Sequence, residues 1–156
     1  MQVHYKRIIL ATDFSDTSKE ASYYALQLAQ TYKAELKALH VFDISAWNVP
    51  THYYIDLEPA GPGFNEAVED LEENRQRGKA ALKELAESFD LEVETIFTEG
   101  DPGHEIVRVA EELKADLIVL GTHGYKGWRR FTIGGVAKFV GRHAPCAVFT
   151  IRPKEK

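Results

Sequence analysis

Five short apolar runs punctuate this chain, separated by stretches with helical spacing, and that rhythm decides most of what it can fold into. Residues 7–13 read RIILATD and residues 115–121 read ADLIVLG. Apolar runs of this length, bounded by turn residues, belong to strands covered on both faces. The runs at 35–42 (ELKALHVF), 91–100 (LEVETIFTEG, with partial alternation) and 146–152 (CAVFTIR) complete the set.

Helical periodicity fills the intervals. Ala21, Tyr24, Ala25, Leu28, Ala29 and Tyr32 recur at spacings of three and four, the stripe of an amphipathic helix. A charged helix over 66–89 puts Leu71, Gly78, Leu82, Leu85, Ala86 and Phe89 near one face. Helix 103–114 aligns Ile106, Val107, Ala110 and Leu113, and a short helix runs from Gly134 or Gly135 to about Arg142. Thr17 and Glu20 have capping-box spacing, with Ser15 as a rival cap, while Asp13 is itself a residue type favoured at helix caps. Asp101-Pro102-Gly103 is a turn with proline placed to start a helix. The order βαβαβαβαβ predicts an α/β fold: a five-stranded parallel sheet with helices on both faces and right-handed crossovers.

The chain has 156 residues, enough for one core without staples, and it reads as one domain over 1–156, with no repeat or linker. A net charge of −5 argues against a nucleic-acid or anionic-membrane partner. The single cysteine, Cys146, excludes an intrachain disulfide and reads as a small apolar residue rather than a reactive thiol. No leader or membrane span is visible, so the expected location is the cytoplasm. Segment 43–65 breaks the rhythm with three prolines (Pro50, Pro59, Pro62) and the aromatics Trp47, Tyr53, Tyr54 and Phe64. It reads either as a loop folded on its own aromatics or as a lid or partner-binding element.

Ligands of such sheets sit beyond the carboxyl ends of the strands, where strand order reverses. The segments to inspect follow strands one, two and four. After strand four comes Gly121-Thr-His123-Gly124-Tyr-Lys-Gly-Trp-Arg129-Arg130-Phe-Thr-Ile-Gly134-Gly135-Val136. Glycines let backbone N–H groups approach a phosphate, and the helix starting near Gly134 offers its positive dipole end. Arg129 and Arg130 add charge suited to phosphate. The competing reading is a glycine-rich turn that merely permits tight packing. His123 lies inside this loop, as a phosphate contact or a plain loop position. His40 reads as a satisfied core histidine, and no metal-ligand spacing appears among the six histidines.

Gly121-x2-Gly124-x9-Gly134 resembles the nucleotide-binding signature of the universal stress protein family. Lys6-Arg-Ile-Ile-Leu-Ala-Thr-Asp13-Phe-Ser15 resembles the family's first strand, Leu39-His-Val41 its second, Gly100-x-Pro102-x-x-Glu105-Ile106 the opening of its third helix, and Arg142-His-Ala-Pro-Cys-Ala-Val148 its last strand. The resemblance implies strand order 3-2-1-4-5, the adenine nucleotide α-hydrolase-like fold. It also implies an adenine nucleotide (ATP, ADP or AMP, with or without Mg²⁺). Asp13 would sit over the adenine and ribose, and the Val41 backbone would bond adenine. Gly121, Gly124, Gly134 and Val136 would line ribose and phosphates, and Ala11, Thr12, Leu120 and Gly135 complete the expected nucleotide-binding set. The last strand, 146–152, would pair with its mate in a homodimer. Gly135 departs from the family's Ser/Thr at that position, so a phosphate-binding hydroxyl is missing.

No general base can be named, so turnover is at most slow ATP hydrolysis, and a regulatory role in the stress response is the expected function. The rival is a nucleotide-free dimeric adapter that holds a protein partner through the 43–65 loop. A phosphoacceptor receiver is disfavoured, because Thr12-Asp13 is not the acidic pair it needs.

Overall fold

A computed structural model describes residues 2–46, 62–122 and 134–152. Five strands, β1 (Arg7–Ala11), β2 (Glu35–Phe42), β3 (Val93–Glu99), β4 (Leu117–Gly121) and β5 (Ala147–Ile151), alternate with four helices. These are α1 (Asp16–Tyr32), α2 (Pro62–Glu87), α3 (Pro102–Glu112) and α4 (Gly135–His143). All strand pairs are parallel and the sheet order is β3-β2-β1-β4-β5. The order implied by the family resemblance is therefore the one observed.

Two apolar layers cover the sheet. Ala21, Ala25 and Ala29 of α1 lie on Ile8, Leu10, Leu117 and Val119, with Leu85 of α2 packed beside them. On the other face Ile106, Val109 and Ala110 of α3 and Ala137 and Val140 of α4 lie on Ile9, Leu39, Ile118 and Leu120. The unbroken apolar runs of β1 and β4 thus serve both faces. Full burial of each such side chain is worth ~1.5–3 kcal/mol. Crossovers that move one way from β1 place α1 and α2 on one face, and those that move the other way place α3 and α4 opposite. The crevice between them opens at the carboxyl ends of β1 and β4.

Local chemistry moves several boundaries. Ser15, not Thr17, caps α1: its Oγ accepts from Ser18 N at 3.2 Å, and Thr17 is buried inside the helix. The Thr17–Glu20 capping box is not formed. Asp13 is not the cap either, because its Oδ1 accepts from Ser15 N at 3.0 Å and Ser15 Oγ at 2.5 Å, ordering the turn before the cap. Strand β1 stops at Ala11 rather than Asp13, since Phe14 turns into the left-handed region at φ 63°. Helix α2 starts at Pro62, four residues before the position predicted at 66. Proline is tolerated in a first turn, where its missing N–H costs nothing. Tyr24, expected on the buried stripe of α1, is 37% exposed and meets Phe149 of β5 edge-on at 5.9 Å. Val109, not foreseen on α3, is buried in place of the half-buried Val107.

Candidate functional site

A cleft of about 650 Å³ opens where β1, β2 and β4 end. That size suits a ligand of nucleotide dimensions. Its walls include Ala11, Thr12 and Asp13 after β1, Leu39 to Asp43 at the end of β2, and Leu120, Gly121 and Thr122 at the end of β4. Gly134, Gly135, Val136 and Ala137 close the far side. Nine residues singled out from the sequence therefore meet in one place: Ala11, Thr12, Asp13, Val41, Leu120, Gly121, Gly134, Gly135 and Val136. The other four, His123, Gly124, Arg129 and Arg130, lie outside the described residues, as do Trp47, Tyr53 and Tyr54 of the long loop.

The wall formed by β1 and α1 is tightly bonded. Phe14 N and Ser18 Oγ both engage Thr12 Oγ1, at 3.1 Å each, and Ser18 Oγ also lies 2.9 Å from the Ser15 carbonyl. Gly121 presses against this corner. A Cβ there would stand 2.8 Å from Thr17 Cγ2 and 3.1–3.2 Å from the backbone of Thr17 and Ser18. The glycine of the motif's first position is thus required by helix–strand packing.

The opposite wall is the start of α4. Gly134 donates its N–H to the Thr122 carbonyl at 2.7 Å, and Thr122 N bonds Ile151 O at 2.8 Å. This ties the start of α4 to β4 and β5. Gly134 is the N-cap and provides no side-chain cap. Helix geometry gives the first N–H groups of α4 no intrahelical partner, and they sit at the positive end of the helix dipole. Among the described residues a Cβ at Gly135 would meet nothing within 4 Å.

Between these walls the sheet ladder stops early. Thr12 N donates to Leu39 O at 2.9 Å. By the parallel register, the next bond would run from Val41 N to the Thr12 carbonyl. Among the described residues that bond is not made, and the Thr12 carbonyl is 2.8 Å from His40 Nδ1 instead. A carbonyl only accepts, so Nδ1 carries the proton. Burial drives the His40 pKa below its ordinary value, against the opposing pull of the Thr12 carbonyl and Asp13, so the ring is neutral at pH 7.

Sequence reasoning placed His40 in the core; it is half-buried and borders the cleft. It missed Asp43 as well, although the sequence carries a signal: Asp43-x-Ser45 repeats Asp13-x-Ser15. The two turns have the same bonds, with Asp43 Oδ1 accepting from Ser45 N at 3.0 Å and Ser45 Oγ at 2.5 Å. Ile106, foreseen only as a packing residue, also lines the cleft. Cys146 is half-buried, and burial, aided by Asp116, pushes its thiol pKa up, which disfavours the reactive thiolate. Among the described residues no group of three or more His, Cys, Asp or Glu is placed to hold a metal ion, and no helix is long and apolar enough to cross a membrane.

Fold and cleft define an open, doubly wound α/β protein with a cleft at its switch point. The Universal stress protein family profile matches residues 4–152. A universal stress protein of Methanocaldococcus jannaschii is 37% identical over 97% of this chain and 85% of its own length. The solved universal stress protein UspA of Lactobacillus plantarum superposes with a TM-score of 0.77 at 29% identity, covering 97% of this chain and all of that one. A universal stress protein solved in complex with cAMP has a TM-score of 0.58 at 24% identity over 96% of this chain and 98% of its own. The chain belongs to the universal stress protein family, and its sheet is the adenine nucleotide α-hydrolase-like fold.

Proposed function

We propose that this chain, acting as one domain over its whole length, binds an adenine nucleotide in the cleft and serves as a cytoplasmic regulatory protein of the stress response. The carrying observation is the pairing, across one cleft, of two kinds of backbone group without a bonded partner among the described residues. On one side the Val41 N–H stands past the end of the β1–β2 ladder, suited to the edge of a base. On the other the uncapped start of α4 is suited to anionic phosphate oxygens. Asp13, exposed between them, suits ribose hydroxyls. The family relative solved with cAMP has the same fold, which is consistent with this reading without carrying it.

His123, Gly124, Arg129 and Arg130 complete the proposed phosphate loop by their place in the sequence. The ligand is ATP, ADP or AMP, with Mg²⁺ escorting the phosphates of the first two. Turnover beyond slow hydrolysis is not part of the reading. The protein works as a homodimer through the last strand: β5 is an edge strand, and its Phe149 is 41% exposed. Pairing that edge with a second copy would satisfy its backbone groups and cover the ring.

The test is calorimetric titration of nucleotide-stripped protein with ATP, ADP and AMP, each with and without Mg²⁺. Micromolar binding by at least one, weakened by Gly134→Val, supports the reading. No heat and no thermal shift with any of them overturns it and favours the nucleotide-free adapter that uses the 43–65 segment.

A further inference from the structure

His40 stands behind the nucleotide cleft, on the α1 and α2 side of the sheet, and four neighbours fix its ring. Its Nδ1–H reaches the Thr12 carbonyl at 2.8 Å. Phe14 lies against one side at a ring separation of 4.5 Å, and Phe97 stands at 5.7 Å. Gly78 of α2 completes the enclosure. A Cβ at Gly78 would be 3.5 Å from the imidazole and 3.3 Å from Phe97, so the helix backbone rests directly over both rings.

Two costs in the site trace to this ring. Phe14 has φ 63°, a conformation that disfavours a bulky side chain by ~1–2 kcal/mol and persists only where the surroundings hold it. The Phe14–His40 contact is one such support. The second cost is the bond missing from the ladder. The Thr12 carbonyl is held by the imidazole, and among the described residues Val41 N–H makes no bond to it, although the register aligns the two.

We propose that His40 is a positioning residue for the bound nucleotide: by taking the Thr12 carbonyl it ends the β1–β2 ladder one bond early and keeps Val41 N–H for the base, and by bracing Phe14 it holds the Asp13–Ser15 turn against the cleft. The role rests on the adenine-nucleotide reading for its benefit, but the backbone arrangement it enforces exists in the unliganded protein and is tested there. His40 touches the ligand site through the backbone it holds and performs no chemistry.

The experiment compares wild type, His40→Asn and His40→Phe. Asparagine keeps a donor near the position of Nδ1, and phenylalanine keeps a ring against Phe14 but no donor. Amide hydrogen exchange is measured first, without nucleotide, with Leu10 and Leu39 as reporters of global stability. In His40→Phe, Val41 N–H closes on the freed Thr12 carbonyl, so its exchange slows ~10-fold or more relative to Leu10 and Leu39, as expected for one new backbone bond. In His40→Asn it does not. Titration with ADP then shows ~10-fold weaker binding for His40→Phe and less than a threefold change for His40→Asn.

Unchanged Val41 exchange in His40→Phe, or equal loss of ADP affinity in both variants, overturns the proposal. If wild type binds no nucleotide while Val41 exchange responds as described, the positioning of the backbone stands and the nucleotide reading alone fails. A further variant guards against a merely unstable protein. Phe14→Gly removes the φ penalty, so the cost to exchange at Ser15 of His40→Asn, which has no ring to set against Phe14, shrinks in that background, and an undiminished cost overturns the bracing role.

Discussion

Two glycines face each other across the cleft, and they are glycines for different reasons. Gly121 sits at the end of β4 against the first turn of α1, where even one methyl group collides with Thr17 and the Ser18 backbone. Gly135 opens α4 with none of the described residues within 4 Å of where its Cβ would stand. The first belongs to a wall that has satisfied itself: Asp13, Ser15, Ser18 and Thr12 spend their hydrogen bonds on one another. The second belongs to a wall whose helix start has no side-chain cap among the described residues. A binding site needs both kinds of surface, one stiff enough to keep its shape and one with unspent polar groups for the ligand. The same residue type in one motif marks each.

The comparison can be broken most forcefully at Gly121. Gly121→Ala overpacks the corner, and such strain costs ~1–3 kcal/mol. For a chain of this size that lowers the melting temperature by ~2–4 °C per kcal/mol. A melt within 1 °C of wild type, a margin below ~0.5 kcal/mol on that scale, would mean that α1 can step away from β4 freely and that the wall is not stiff. Next in size is Ser15→Ala, which removes the cap of α1 and the hydroxyl that bonds Asp13, while the backbone N–H of residue 15 still reaches that carboxylate. Loss of such a cap costs ~1 kcal/mol, read as a lower denaturant midpoint with unchanged slope.

Gly135→Ser acts on the other wall and in the other direction. Stability stays within ~0.5 kcal/mol of wild type, as at most open surface sites, while affinity for ADP or ATP rises ~10-fold from one added hydrogen bond to a charged group. Equal affinity in calorimetry would show that the α4 start does not face phosphate. The smallest effect lies at the opposite, amino-terminal end of the sheet. Burial works against the Asp116 carboxylate, but the N–H groups of Lys6 and Arg7, each at 2.8 Å, hold its pKa below the ordinary range. Because the folded value is the lower one, the stability it contributes is complete above the unfolded pKa of ~3.9. It is lost as pH falls through the folded value. Chemical denaturation in steps from pH 6 to pH 2.5 should show a shallower acid decline for Asp116→Asn than for wild type.

The strands were legible in the sequence because burial on both faces leaves an unbroken apolar run, as in β1 and β4, and few other environments do; their order was implied only by the family resemblance. Of the residues singled out after strands one, two and four, those that are described line one cleft. What escaped depended on competition between local groups. Ser15 and Thr17 are both good caps, and only the Asp13 carboxylate, bonded to Ser15 twice, decides between them. Pro62 looks like a breaker until a helix begins on it. Tyr24 has the right spacing for the core, but small alanines bring α1 so close to β1 and β4 that the larger ring is turned outward against Phe149. His40 could not be assigned to the cleft at all, because its role comes from a bond that the ladder fails to make, and periodicity does not record missing bonds.

The bond from Gly134 N to the Thr122 carbonyl has a consequence for engineering. The chain leaves the sheet at Thr122 and returns at Gly134 to an adjacent, hydrogen-bonded point, so the interval 123–133 is clasped at its base. Closure entropy grows slowly with length, by ~0.6 kcal/mol for each doubling. The clasp therefore makes this position a natural splice point: a foreign peptide, a reporter or a relative's version of the interval can be exchanged here while β4, β5 and the start of α4 keep their registration.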